Sequence, residues 1–356
     1  MHLSASAILL LSASVVQAET EFKYKNFNAQ ALCAHILPRY ERLQRKLDTL
    51  AIETRKCTET EDFDYSALRH PFRNAVMAWG GVAHITFGPV AQNNRYERIF
   101  FWPDRRGISR RQVTKVMRLQ PDAYSDPKAL AQRSISVQGL PAFELLITKP
   151  TVGEQSLFKC AYMKSISRNL ASIAGDIVRE WRPDGAWSKR WLSPGPENPS
   201  YLDPSEPAFT LIRAFLAHID RVRDIELFRP LGFARQGRKL SGPFARSDLT
   251  MTYIAARLAA LRSAIVDTGL IAEIRRTAQA KNQRTAIRDL TEVAFELDYL
   301  VGRTSRHAKV SRFFATDRTQ EAAALGYPMT EIRSRTENAI AAVTNLPFGF
   351  NSSLGD

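Results

Sequence analysis

Between residues 29 and 52 the apolar side chains Leu32, Ile36, Tyr40, Leu43, Leu47 and Leu50 return every three or four positions, the spacing that lines one face of an α-helix. The same period recurs along nearly the whole chain. Nowhere does it give way to the strict alternation and hairpin turn chemistry of a strand. A helix with one apolar stripe must bury that stripe against others of its kind, so the pattern commits the chain to an all-α fold.

Further helical patterns run from 65 to 85, closed by Gly88 and Pro89, from Ser109 to Leu119, and from Gln155 to Trp181. Pro38 predicts a kink in the first helix. The stretch "NNRYERIFFWPDRRG" reads as an extended connection. Asp126 and Pro127 have the form of an N-cap and a first-turn proline, opening a helix that is expected to run through "SVQGLPAFELLIT". The segment from Arg182 to Pro207 packs prolines, glycines and tryptophans without a period and divides the chain. Beyond it come patterns over Ala208 to Phe228, Asp248 to Asp267, Arg284 to Gly302 and Met329 to Asn345, with Ser247 as the expected N-cap of the second. The expectation is two packed, four-helix-bundle-like halves, 19–182 and 208–356, joined by a loop-rich connection, 183–207.

Residues 1–18, "MHLSASAILLLSASVVQA", hold an apolar run and end in Val16-Gln17-Ala18, which reads as a signal peptide cut before Glu19 and places the protein in the periplasm. No later stretch approaches the roughly 20 uninterrupted apolar residues of a membrane span. The leader carries no Lys, Arg, Asp or Glu, so export leaves the formal charge at +14, from 50 basic and 36 acidic residues. The basic residues are interleaved with carboxylates, as in "RVRDIELFR". That pattern suits a solvated helical surface better than a nucleic-acid tract. Three cysteines in an oxidising compartment allow one disulfide. Cys57 with Cys160 is the first choice, with Cys33–Cys57 or three free thiols as alternatives.

No H-E-x-x-H, glycine-rich phosphate loop or G-x-S-x-G is present, so zincin, nucleotide and serine-hydrolase chemistries lack their frames. What remains is a set of strings: "AWGGVAHITFGPV", "FFWPDRRG", "VQGLPAFELLI" and the terminal "LPFGFNSSLGD". In this order and combination they resemble the imelysin-like family of exported bacterial proteins over nearly the whole mature chain. The resemblance implies a two-bundle helical fold, an envelope location and an association with iron acquisition. Imelysin was named for peptidase activity, and the family carries a G-x-H-x-x-E motif proposed to bind metal. Here Gly139 and Glu144 match that motif while Pro141 stands at the histidine position.

Proline has no lone pair to give. His and Glu three apart on a helix share a face and converge on one cation; with Pro141, only Glu144 is left, and His84 and Asp104 are the donors that other helices could bring. Interior to a helix, Pro141 would also delete one hydrogen bond and free a carbonyl. A buried Glu144 needs a cationic or donor partner, an arginine of a neighbouring helix being the bland candidate. His84 is more often a packing histidine than a ligand, and Asp104 has a turn-capping alternative. Trp79, Phe87, Phe100, Phe101 and Trp102 either wedge the two bundles or line a pocket. Tyr162, Arg168, Asn351 and Asp356 complete the candidates. The expected function is therefore a non-catalytic periplasmic protein associated with iron uptake. It would bind a small ligand, a metal ion such as iron or zinc, or an envelope iron-uptake protein in a cleft formed by Gly139, Pro141, Glu144, His84, Trp79, Trp102, Asp104 and Tyr162. A metal-dependent peptidase and a structural or partner-docking envelope protein are the alternatives.

Overall fold

A computed structural model describes residues 22–57, 63–104, 106–149, 154–232, 241–277, 280–308, 319–344 and 346. The expected leader and cleavage site, and Asn351 and Asp356, lie outside the described residues. Among the described residues the chain is helical, with no strand.

Helix α1 (Tyr24–Ala31) continues through a π-helical turn, Leu32–Ile36, into α2 (Leu37–Arg55). The cause is Pro38. Its ring cannot follow an ordinary α-turn without striking the carbonyl four residues back, and the widened turn, in which Leu37 N–H bonds Leu32 O, makes room. The expected kink is thus a π-turn one residue ahead of the proline. The predicted stripe from Leu32 to Leu50 is fully buried, facing α3 (Arg69–Gly80) and α8 (Glu154–Trp181). Cys57, just past α2, is disulfide-bonded to Cys160 on α8 with their Cα atoms 5.8 Å apart; Cys33 is a free, exposed thiol.

The pattern expected to run from 65 to 85 stops as an α-helix at Gly80. Between α3 and α8 lie α4 (Arg95–Ile99), α5 (Ile108–Leu119), α6 (Pro127–Ala131) and α7 (Gly139–Ile147). Two expectations fail here. The aromatic connection is not wholly extended, since α4 interrupts it. The helix capped by Asp126, whose Oδ1 does accept Ala129 N–H at 2.7 Å, ends at Ala131 and does not reach the motif. The break is held by buried polar bonds: Gln138 Nε2 donates to Arg133 O at 2.8 Å, Gln138 Oε1 accepts from Asn169 Nδ2 at 2.8 Å, and the Tyr162 hydroxyl donates to Val137 O.

The connection expected to be loop-rich contains α9 (Ala186–Leu192). It is barely two turns long, too short to show a period, and it is fixed by Trp191, which stacks on Phe87 and donates to Asn28 O at 2.8 Å. Next come α10 (Ser205–Asp220), a π-helical stretch Arg221–Phe228, α11 (Arg229–Leu231) and α12 (Thr250–Val266). Leu270–Arg276, which no pattern announced, forms α13; α14 spans Ala280–His307 and α15 spans Thr319–Ala341 with Pro328 in its interior, ten residues before the expected start at Met329. Helix α12 is buried on nearly all sides and packs on α3, α10, α13 and α14. Gly80 is what lets α3 lie so close, because a Cβ there would sit 3.0 Å from the Ala256 Cβ and 3.1 Å from Tyr253 O.

The disulfide closes a sequence separation of 103 residues, which removes a large loop-closure entropy from the unfolded chain. Changing Cys57 and Cys160 together to Ala is expected to lower unfolding stability by about 2–5 kcal/mol, read as a shifted urea midpoint against the oxidised parent. An unchanged midpoint would contradict the bond's structural role.

Candidate functional site

A cavity of about 620 Å³ opens beside α7. One wall is formed by 100–104, 106, 107 and 109–111, a second by Pro141, Glu144 and Leu145 of α7, and the third by residues between Ser241 and Arg246, from beyond the connection at 183–207. The motif glycine sets α7 in place. Gly139 has φ +84°, and a Cβ there would meet Arg98 O at 2.6 Å and Ile99 O at 2.7 Å, so only glycine satisfies both the left-handed backbone and the close approach of α4. Pro141 then falls in the first turn of α7, where an N–H has no helical partner in any case. The hydrogen bond and free carbonyl expected from a mid-helix proline are therefore not at stake.

Glu144 is 6% exposed. Its Oε1 accepts the backbone N–H of Ser247 at 2.8 Å. Burial pushes the carboxyl up to about 7, against the opposing pull of the Ser247 donors and the nearby Arg246 charge. The partner is thus a backbone amide, with Arg246 close by, and not an arginine of a neighbouring helix. Nor is Ser247 the N-cap of α12, which starts at Thr250 with no side-chain cap. The turn that replaces it puts Phe244 and Asp248 in left-handed conformations with φ of 55° and 58°. Burial of Phe244 offsets that strain: its ring stacks on Phe100 at 5.0 Å and meets Tyr253 edge-on at 5.3 Å.

Of the residues singled out in the sequence, Phe100, Phe101, Trp102, Asp104, Pro141 and Glu144 line this cavity. Trp102 stacks on Phe100. Asp104 caps α5, its Oδ1 accepting Ile108 N–H at 2.7 Å and its Oδ2 Ser109 N–H at 2.9 Å. Five lie elsewhere, among them Phe87, stacked on Trp191, and Arg168, in a separate recess of about 210 Å³. Trp79 is core on α3, edge-on to Tyr96; Tyr162 is core on α8; and His84 belongs to a separate buried cluster. Sequence reasoning missed Arg106, Arg110, Arg111 and Arg246, although four arginines within "RRGISRR" were a visible charge signal.

In the separate cluster, His84 Nε2 lies 2.7 Å from His35 Nε2. Arg39 Nε donates to His35 Nδ1 at 3.2 Å, which leaves the His35 proton on Nε2, directed at His84. His218 stands edge-on to His84 and accepts from Arg257 Nη2 at 2.6 Å through Nδ1. Arg257 and Glu226, both fully buried, form an ion pair at 2.5 Å. Burial is the main force lowering all three imidazoles well below their ordinary range; Arg39 adds to it at His35, His35 at His84, and Arg257 at His218. Burial likewise raises Glu226, against the pull of Arg257 and Arg221.

Iron or zinc does not fit either place. At Glu144 one oxygen is committed to an amide, Pro141 offers no donor, and His84 is in another cluster. Among the described residues no group of three His, Cys, Asp or Glu side chains is placed to hold a metal ion, whereas a structural or catalytic zinc needs three or four protein ligands.

The family model for imelysin, the Peptidase_M75 family, matches residues 36–326. No curated protein matches the chain. Two solved structures share its fold. An imelysin-like protein from Psychrobacter arcticum is 19% identical with a TM-score of 0.77, covering 92% of this chain and 97% of that one. A protein of Parabacteroides distasonis named as an iron-regulated protein A precursor is 11% identical with a TM-score of 0.66, covering 91% and 96%.

Two outcomes follow from this geometry. Gly139→Ala is expected to cost about 2 kcal/mol or more in urea unfolding, from backbone strain and the carbonyl contacts; a neutral change would refute the close approach. The second concerns acid. The folded imidazoles bind protons less readily than free ones, so stability is intact above the ordinary imidazole value of about 6.5 and drains away as pH falls below it. The raised Glu144 carboxyl, at about 7, acts in the opposite sense over that range and offsets about one imidazole, and the upward shift of Glu226 has the same sign. The net effect expected between pH 6.5 and 5.5 is a loss of stability as pH falls, on the order of 1.4 kcal/mol per unit for each imidazole that is not offset. His218→Gln flattens it, and an unaltered slope in that variant would show the cluster to be inert.

Proposed function

This chain belongs to the imelysin family, and we propose that it is an exported, non-catalytic member that holds a ligand connected with iron uptake in the cleft beside α7. The observation that carries the reading is the meeting of Pro141 and Glu144 on one wall of a 620 Å³ cavity. The motif's position and pocket are present, while its imidazole is not. A metallopeptidase must hold an ion with an open coordination position to activate water, and Glu144, tied to the Ser247 amide, supplies too little for that.

The walls come from 100–145 and from 241–246, which suits a cleft between two halves of the chain divided at 183–207. Such a place is a common site for small ligands, and the volume lies in the usual range of about 300–1,000 Å³. Export is supported by the apolar leader ending in Val16-Gln17-Ala18 and by the Cys57–Cys160 disulfide, a bond favoured outside the cytoplasm. No helix of the described residues is long and apolar enough to cross a membrane. The iron connection rests on the name of the Parabacteroides distasonis protein that shares the fold.

The test is metal analysis and a proteolysis assay on mature protein recovered from the periplasm. The expected results are an N-terminus at Glu19, no stoichiometric iron or zinc, and no cleavage of unfolded casein. A one-to-one metal that disappears in Glu144→Ala, or prompt casein cleavage, overturns the proposal.

A further inference from the structure

The cleft's walls carry an uneven charge. Arg106, Arg110, Arg111 and Arg246 line it, against two carboxylates, Asp104 and Glu144. Both carboxylates are already occupied with backbone amides, and burial keeps Glu144 protonated for part of the time near neutrality. The wall therefore holds a surplus of two positive charges, or three when Glu144 is neutral. Many other arginines of the chain are spent on neighbouring acids, as Arg223, Arg333 and Arg335 are. None of these four forms an ion pair among the described residues, and all four are exposed at the cavity.

Deeper in, Ser109 lines the same cavity in the first turn of α5, a helix of 12 residues. Its hydroxyl is buried and has no partner among the described residues. A buried hydroxyl without a hydrogen bond costs about 1–3 kcal/mol. An oxygen acceptor entering the cavity would satisfy it. Phe100, Trp102 and Phe244 supply an apolar wall for a short carbon skeleton.

Resting on the ligand-holding reading of the cleft, we propose that its occupant is a small, multiply charged oxyanion, a polycarboxylate or a phosphate compound, gripped by the guanidinium groups of Arg106, Arg110, Arg111 and Arg246 with the Ser109 hydroxyl as a further donor. Guanidinium presents paired N–H donors that match carboxylate and phosphate oxygens. A bare cation meets repulsion from the same groups. Glu144 sets the acidity range. Its carboxyl faces Arg246 and Ser247 across the gap, with Asp104 and the three α5-side arginines around the cavity; Arg69, His70, Arg73 and Asp248 line a second recess of about 490 Å³ that shares Arg246. An ionised Glu144 repels an incoming anion and a protonated one does not, so binding tightens as pH falls through about 7, by no more than tenfold per pH unit for one coupled proton.

The experiment is calorimetric titration of the mature protein with citrate and with pyrophosphate, using spermidine as the cationic control, at pH 6, 7 and 8. One-to-one binding of citrate, pyrophosphate or both is expected, with none for spermidine; whichever probe binds more tightly identifies the carboxylate or the phosphate class. Arg110→Ala and Arg246→Ala, both at exposed positions, should each weaken binding about tenfold or more. Glu144→Gln should bind more tightly than the parent at pH 8 and lose the pH dependence, with circular dichroism confirming its fold. Failure of both anions to bind, or arginine variants with parental affinity, overturns the anion assignment and leaves the cleft reading standing. A neutral or cationic molecule found in the cleft by native mass spectrometry of protein isolated from its host does the same. Stoichiometric metal at Glu144 would instead remove the reading on which the assignment rests.

Discussion

A single hydrogen bond connects residues 103 positions apart: the Glu144 carboxylate accepts the Ser247 amide. A carboxyl group taken out of water demands a donor, and here the donor is a backbone group on a turn that Phe244 anchors in the aromatic core. That demand fixes α7 relative to the segment from 241 to 249, and with it the position of the cavity's walls. Gly139 fixes the other end of α7 against the α4 carbonyls. Between these two constraints the helix has little freedom, so Pro141 and Glu144 are presented to the cavity in one orientation.

The polar interior under α12 works differently. His35, His84, His218, Arg257, Glu226 and Tyr253 come from four separated stretches of chain and bond one another where water is excluded, while His84 Nδ1, His218 Nε2, Glu226 Oε2 and Arg257 Nε have no partner among the described residues. Such networks are costly when half-made and specify one packing when complete. The buried Arg257–Glu226 pair is weak evidence for stability in itself, since desolvation offsets most of its attraction. Its consequence is that α12 and the π-helical stretch at 221–228 have one register that pairs the charges. The cluster therefore belongs to the architecture, whereas the Glu144 region has the volume and the charge imbalance of a place that receives something.

The net charge of +14 takes on meaning from this contrast. Spread over paired surface arginines it amounts to solvation and solubility. Concentrated around one recess as four guanidinium groups that form no ion pair among the described residues, it supports the proposed preference for anionic oxygen. The difference lies in which arginines have carboxylate neighbours, and residue counts do not carry that information.

Helical period, by itself, determined the all-α class and most of the long helices, because a stripe from Leu32 to Leu50 can be buried in only one way. The cysteine count allowed a disulfide, and the composition of residues 1–18 gave the expectation of export. The sequence also placed Pro141 and Glu144 on one helix face, since three-residue spacing does so wherever a helix runs. What it did not hold was anything depending on contacts between distant segments. Short α9 and α13 have too few residues to display a period and exist because Trp191 and Ile274 find buried positions. Ser247 looks like a cap until Phe244 pulls the turn into a left-handed path. His84 looks like a ligand for Glu144 until the fold hands it His35. Tertiary packing decided the walls of the cleft, the partner of each buried charge and the acidity of Glu144, because desolvation and hydrogen bonding are set by neighbours in space.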